Sequence, residues 1–207
     1  MTVPPAAAKR CRLPAPERRA AIVDAALQVF GERSYGRATT AEIARAAGVS
    51  EPILYRHFAS KGDLYIACLE AMATRLRETV EAIIAAEPDP REWPFAVPRA
   101  IDVLRKNAVY PSQMWIQALS ETGEDAGLAR YLRGHMRELH AFASDVIRRA
   151  QQAGGVAADR DPGAEAWIGI GIGLLRSVQA RLGGVLTADD LAQITRSRRL
   201  SLTPPRA

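Results

Sequence analysis

Residues 39–64, TTAEIARAAGVSEPILYRHFASKGDL, decide the fold of this chain. Thr39 stands three residues before Glu42, the spacing of a reciprocal capping box, and Ile43, Ala44 and Ala47 then share one face, so a short helix starts here. Gly48 follows as a residue able to take left-handed backbone angles, Val49 can plug the corner, and Ser50 is placed to cap a second helix whose first turn tolerates Pro52. Two short helices on a tight glycine turn make a helix-turn-helix. On the second helix Leu54 and Phe58 are four apart and face inward. At about 100° per residue this points Pro52, Ile53 and Arg56 outward, flanked by Glu51, Tyr55 and His57.

An outward face with an isoleucine, an arginine and a flanking tyrosine suits a DNA major groove, where apolar groups meet thymine methyls and polar groups meet base edges or phosphates. An ordinary helical hairpin with one exposed apolar residue would read the same way, and the pattern alone does not separate the two. The charge map adds an independent signal. Of a net charge of +5, residues 1–61 hold 10 Lys and Arg against 5 Asp and Glu, while residues 62–207 hold 18 of each. A polyanion-binding module joined to a neutral domain is charged in this way.

Phe30, Tyr35, Thr39, Thr40, Ile43, Ala44, Ala47, Gly48, Val49, Ser50, Leu54, Tyr55, His57, Phe58, Lys61 and Leu64 together resemble the DNA-binding domain of the tetracycline-repressor (TetR) family of bacterial transcription regulators. The resemblance covers roughly Arg18 to Leu69; beyond it the chain resembles the family only in length and helical character. The family usually has glycine where this chain has Ser34, a departure that costs about 1 kcal/mol if the position is left-handed. The resemblance implies a homodimer on a palindromic double-stranded DNA operator, with repression relieved by a small effector that moves the helix joining head to body. Matched residue by residue, Thr39, Thr40, Tyr55, His57 and Lys61 fall where the family touches phosphates. Glu51, Pro52, Ile53 and Arg56 fall where it reads bases, and Ser50 completes the DNA-binding set.

The rest of the chain reads as all-α: an N-terminal three-helix unit carrying the helix-turn-helix, followed by a C-terminal helical bundle. Residues 1–14, rich in Pro, Ala and basic side chains, are expected to form a disordered arm, residues 15–61 the head, and residues 62–200 the effector-binding and dimerisation domain. Ile22, Ala26, Val29 and Phe30 give the first helix to about Glu32, and Ser60 before Asp63 opens a long helix over Lys61 to Ala86. Prolines 88, 90, 94 and 98 break the pattern. Further helices are expected over about Pro98–Ala108, Ser112–Ser120, Leu128–Ala153, Asp161–Leu182 and Thr187–Arg199, with a turn at Gly123–Gly127. No stretch alternates apolar and polar residues long enough for a strand.

Gly169 and Gly173, four apart, make one face of the penultimate helix small. With Ile172, Leu191 and Ile194 they are read as a dimer interface, the alternative being close packing inside one subunit. Trp93, Phe95, Tyr110, Met114, Trp115, Phe142 and Trp167 collect in the body as lining for a mostly apolar, neutral or weakly charged effector, or simply as core. His135 and His140, five apart, do not share a helical face, so no metal site is expected. No cofactor motif and no nucleophile or paired-carboxylate signature stands out, which argues against an enzyme. Cys11 and Cys68 have no pairing pattern and fit a reducing cytoplasm, and the longest uncharged apolar run, Ala166–Leu175, is too short to span a membrane. The rival reading is a helical small-molecule carrier or enzyme whose head serves assembly only.

Overall fold

The computed structural model describes residues 14–106, 113–121 and 125–204. Among them are nine α-helices, one 3₁₀ segment and no strand: α1 (Ala15–Glu32), α2 (Thr40–Ala46), α3 (Glu51–His57), α4 (Lys61–Ala86), the 3₁₀ segment Pro90–Phe95, α5 (Ala96–Lys106), α6 (Gln113–Glu121), α7 (Ala126–Gln152), α8 (Pro162–Leu182) and α9 (Ala188–Leu202). The all-α architecture expected from the sequence is what the chain adopts. The expected basic arm, Cys11, Tyr110 and Gly123 lie outside the described residues. No helix among the described residues is long and apolar enough to cross a membrane.

Helix starts follow local chemistry. Thr39 accepts from the Glu42 amide while Glu42 accepts from the Thr39 amide, so the capping box at α2 is complete. At α4 only half of the expected box forms, Ser60 Oγ accepting from the Asp63 amide at 3.0 Å. Asp125, Asp161 and Thr187 cap α7, α8 and α9 through side-chain oxygens. Because Asp125 caps α7, Gly127 sits inside that helix instead of in the expected turn. Pro90 and Pro94 turn the chain into a 3₁₀ segment between α4 and α5, since neither supplies the amide an α-helix needs.

Three apolar clusters hold the helices. The first joins Ile22, Phe30, Ile43 and Leu54 of the head to Leu64, Tyr65 and Met72 of α4, and also to Met114 and Ala118 of α6 and Leu128 of α7. The core of the head is therefore continuous with the body. Leu76, Val80 and Ile84 of α4 meet Ala96, Ala100 and Leu104 of α5 and Val146 of α7 in the second. The third ties the end of α7 to α8 and α9 through Ile147, Ala150, Ala166 and Leu202.

Cys68 belongs to the first cluster; burial pushes its thiol up to about 12, and its weak S–H donates to the Val23 carbonyl, so it acts as a small apolar side chain.

Helix α7 ends in a reciprocal pair of bonds, Gly154 amide to Gln151 carbonyl at 2.9 Å and Gly155 amide to Ala150 carbonyl at 2.8 Å, with Gly154 left-handed at φ 75°. Gly155 then lies against the 3₁₀ segment, where a Cβ would overlap the Pro90 carbonyl and come within 2.6 Å of the Arg91 nitrogen. Backbone cannot swing aside as a side chain can. Gly155→Ala is expected to destabilise the fold by about 3 kcal/mol, the upper end of typical overpacking costs. The check is a fall in the urea midpoint at unchanged m-value; an unchanged midpoint would show that the 3₁₀ segment yields freely.

Candidate functional site

The turn between α2 and α3 is built as its sequence demands. Gly48 is left-handed at φ 67°, and the Gly48 and Val49 amides close on the Arg45 and Ala44 carbonyls at 3.1 and 3.0 Å. Leu54 is fully buried and Phe58 nearly so, which fixes the roll of α3 about its axis. Pro52, Tyr55 and Arg56 are left exposed, with Ile53 and His57 half-buried. Arg19 stacks over the inner Phe58 ring at 4.8 Å.

Two of the sequence-assigned residues have other engagements. Glu51 accepts from Thr40 Oγ1 at 2.5 Å, and Thr40 Oγ1 lies 3.2 Å from the Tyr55 hydroxyl. This triad laces α2 to α3 across separations of 11 and 15 residues, so the Glu51 carboxylate is held inward against Thr40. Ser50 occupies the first position before α3, but its hydroxyl makes no capping bond; its carbonyl accepts from the Ile53 and Leu54 amides. Thr39 is exposed with its hydroxyl engaged by Glu42. The amide and then the hydroxyl of Thr39 hold the Glu42 carboxyl below the usual carboxylate range, and Glu42 also pairs with Arg33 at 2.8 Å. Lys61 Nζ lies 4.4 Å over the Tyr35 ring at the junction of head and body. Its charge is thereby carried on an aromatic platform beside α3.

In the body a cavity of about 210 Å³ opens between α4, α5, α6, α7, α8 and α9. Phe95, Trp115 and Phe142 line it, as the sequence suggested. Trp93 is half-buried in the core with its indole donating to the Glu87 carbonyl at 3.0 Å, Met114 is fully buried in the first cluster, and Trp167 is 48 % exposed and stacked on His140 at 4.3 Å. Neighbouring side chains on α6 thus part company. The Met114 carbonyl accepts from the Tyr65 hydroxyl of α4 at 2.7 Å inside the head's cluster, while Trp115 packs partly against that cluster and also lines the cavity.

Gly169, Ile172, Gly173 and Ile194 also line the cavity, and a Cβ on either glycine would meet nothing within 4 Å. The close packing inside one subunit that the sequence left open is not what these glycines serve. They keep a wall of the cavity low. Leu191 is half-buried on α9. The apolar face that α8 turns to solvent is a different one: Ile168, Leu175, Val178 and Leu182 are 47, 36, 39 and 70 % exposed, with exposed Gly171 among them.

His135 borders the cavity and also the groove between α4 and α7, stacked on Tyr131 at 5.9 Å. Burial lowers its pKa below the usual histidine value. His140 bonds the Gly163 carbonyl at 3.0 Å. Among the described residues no group of three or more His, Cys, Asp or Glu is placed to hold a metal ion.

Residues 22–68 match the family described as bacterial regulatory proteins, tetR family. The HTH-type transcriptional regulator BetI of Rhizobium meliloti is 34 % identical over 126 residues, covering 61 % of this chain and 62 % of its own length. The HTH-type transcriptional activator FasR of Mycolicibacterium smegmatis is 43 % identical over 81 residues, covering 39 % of this chain and 37 % of its own. The chain thus matches less than two thirds of the length of either relative. In fold it is similar to a TetR-family transcriptional regulator from Agrobacterium tumefaciens, with a TM-score of 0.73, 20 % identity, and coverage of 91 % of this chain and 98 % of that one. It is similar also to AibR in complex with isovaleryl coenzyme A and operator DNA, with a TM-score of 0.63, 22 % identity, and coverage of 91 % and 100 %. These relatives are transcription regulators and not enzymes. With a left-handed Gly48 turn, a buried Leu54 and an exposed outer face on α3 inside the matched stretch, residues 22–68 of this chain carry the helix-turn-helix that the tetR family of bacterial regulatory proteins describes.

Proposed function

We propose that this protein is a ligand-responsive regulator that binds a palindromic operator as a homodimer and represses while bound. The observation that carries this reading is the outer face of α3, where Pro52, Tyr55 and Arg56 stand exposed on a helix whose roll is set by buried Leu54. Exposed Ser50 and Thr39, together with Lys61, border that face where phosphates would pass. Glu51 flanks this face with one carboxylate oxygen accepting from Thr40, so in this reading it acts on DNA through that contact.

The solvent-facing stripe of α8 supports the dimer. Ile168, Gly171, Leu175, Val178 and Leu182 alternate by three and four residues, the spacing of a helix seam that packs against another helix. A second copy of the same helix is the partner a closed two-fold pair requires. Repression is the sign expected if the ligand releases the protein from DNA. A reporter gene decides it, since one relative is named an activator.

The cavity is the effector site in this reading, and α6 is its link to the head. A ligand pressing on Trp115 displaces Met114, whose carbonyl holds Tyr65 at the root of α4. AibR, of the same fold, is described with both a small acyl thioester and operator DNA, which suits a cavity and a reading head in one chain.

Selection of bound fragments from random duplex DNA tests the reading. The selected sites should be symmetric, with half-site centres about one helical turn apart or a multiple of it. On a panel of single-base variants, Arg56→Ala should relax one position by about 1–3 kcal/mol. Glu51→Gln should weaken all variants alike, and Lys61→Ala should do so while lowering the salt slope by about one unit. Failure to enrich any sequence would overturn the proposal.

A further inference from the structure

The wall of the cavity is not evenly apolar. Four arginines reach it, Arg77, Arg105, Arg176 and Arg198, against a single carboxylate, Glu165. Two of the four are committed: Arg198 donates to Glu165 at 2.6 Å, and Arg176 to both oxygens of Asp102 at 3.1 and 2.8 Å. Arg77 and Arg105 have no ion pair among the described residues, and both are exposed, so they stand at the opening. Leu76 and Leu104, their neighbours in sequence, belong to one buried cluster that joins α4 to α5, and Arg77 also borders the groove that holds Glu70, Glu78 and Glu138. The Arg77 guanidinium lies over the Phe142 ring at 5.2 Å, and Phe142 lines the interior.

A second polar feature belongs to Trp115, which lines the cavity and also packs against the first cluster. The Trp115 indole nitrogen is buried and has no acceptor among the described residues. An unpaired buried donor costs about 1–3 kcal/mol, so an acceptor brought to it is stabilising by a comparable amount. The apolar lining between these features, with Leu139, Phe142, Val146 and Ile170, offers nothing to a polar body.

We infer that the effector is an amphipathic anion: a short to medium apolar chain seated among these side chains, with its anionic end at Arg77 and Arg105. This rests on the reading of the cavity as the effector site. It narrows the mostly apolar, neutral or weakly charged ligand expected from the sequence to an anion, because two arginines from separate helices supply a counter-charge. A free carboxylate and an acyl thioester of a phosphorylated carrier share the required chemistry, and the test separates them.

Full-length protein is titrated by calorimetry with octanoate, octanoyl coenzyme A, octan-1-ol and octylamine, one chain length with four head groups. Octanoate or the thioester should bind at least tenfold more tightly than octanol, and octylamine should give no measurable heat. Tighter octanoate identifies a free acid, and tighter thioester a carrier-bound acyl group. In Arg77→Gln/Arg105→Gln the preference over octanol should fall to within about twofold while octanol itself still binds, which also reports a folded cavity. Octanol or octylamine binding as tightly as both anions in the unaltered protein would overturn the inference, whatever the variant does. Duplex binding is measured on the same preparation. Sequence-selective DNA binding without anion preference sinks this inference alone, and anion preference without DNA binding sinks the regulatory reading alone.

Discussion

Leu175→Glu is expected to leave the protein monomeric and to lower its affinity for the selected operator by about 10²–10⁴-fold, the usual gain from joining two binding modules. Leu175 lies in the middle of the exposed α8 stripe, one turn from Gly171 and close to Val178. Gly171 removes bulk at the centre of the stripe, so in the proposed dimer a partner helix would approach closely there and a glutamate opposite its own symmetry mate would face a like charge in an apolar seam. Desolvating an unpaired carboxylate costs several kcal/mol, enough to undo a modest interface. The folded subunit should survive, because Leu175 is not part of the buried clusters that hold α8 to α7 and α9. Sedimentation gives the mass, and anisotropy with labelled operator gives the affinity. A dimer that persists with its affinity intact would move the interface off this stripe. Gly173→Arg, by contrast, projects into the cavity and should impair ligand binding first.

Arg198→Leu is expected to cost about 3–5 kcal/mol of stability, the range for removing one partner of a buried ion pair. The Glu165 side chain is 7 % exposed and that of Arg198 16 %, with 2.6 Å between nitrogen and oxygen. Once Arg198 is gone, the nearest cation to Glu165 is Arg160 at 3.9 Å, which is too far for a good charge-assisted bond. The pair ties α9 to the first turns of α8, beside the contact of Leu202 with Ala166 in the third cluster. Its loss therefore loosens the helix pair that carries the proposed dimer face. Replacing both members, Glu165→Leu with Arg198→Leu, should recover most of the loss, because no charge is then stranded. Denaturant titrations of the single and double variants check this; a double variant no more stable than the single one would show that packing, not charge, sets the cost.

The features legible in the chain are those whose partners lie a few residues away. Thr39 and Glu42 are three residues apart, Gly48 needs only its own backbone angles to turn the corner, and Asp161 caps α8 through an amide three residues on. The periodicity of Leu54 and Phe58 was enough to say which side of α3 is buried, because a helix maps sequence spacing directly onto a face. The family resemblance over the head rests on the same local residues, and the matched stretch begins and ends close to where those residues do.

What a helix faces is another matter, because it depends on neighbours that approach from elsewhere in the chain. Glu51 looked outward by spacing, yet Thr40, on another helix, takes its carboxylate. Met114 and Trp115 are adjacent and similar in character, but one is buried against Tyr65 and the other borders the cavity, since α6 passes between the head and the body. Gly169 and Gly173 announced a small face in sequence, and only the fold shows that both border the cavity, Gly169 at its exposed edge.

The chain by itself determined the all-α class, the helix-turn-helix, nearly every helix start and the excess of positive charge on the head, because each is set by bonds within a turn or by composition. The tertiary structure alone decided the cavity, the two arginines at it that have no ion pair among the described residues, and the bond from the Met114 carbonyl to Tyr65. These depend on side chains from helices tens of residues apart, and the energy that brings such helices together is non-directional burial of apolar surface, which leaves no spacing rule in the sequence to read.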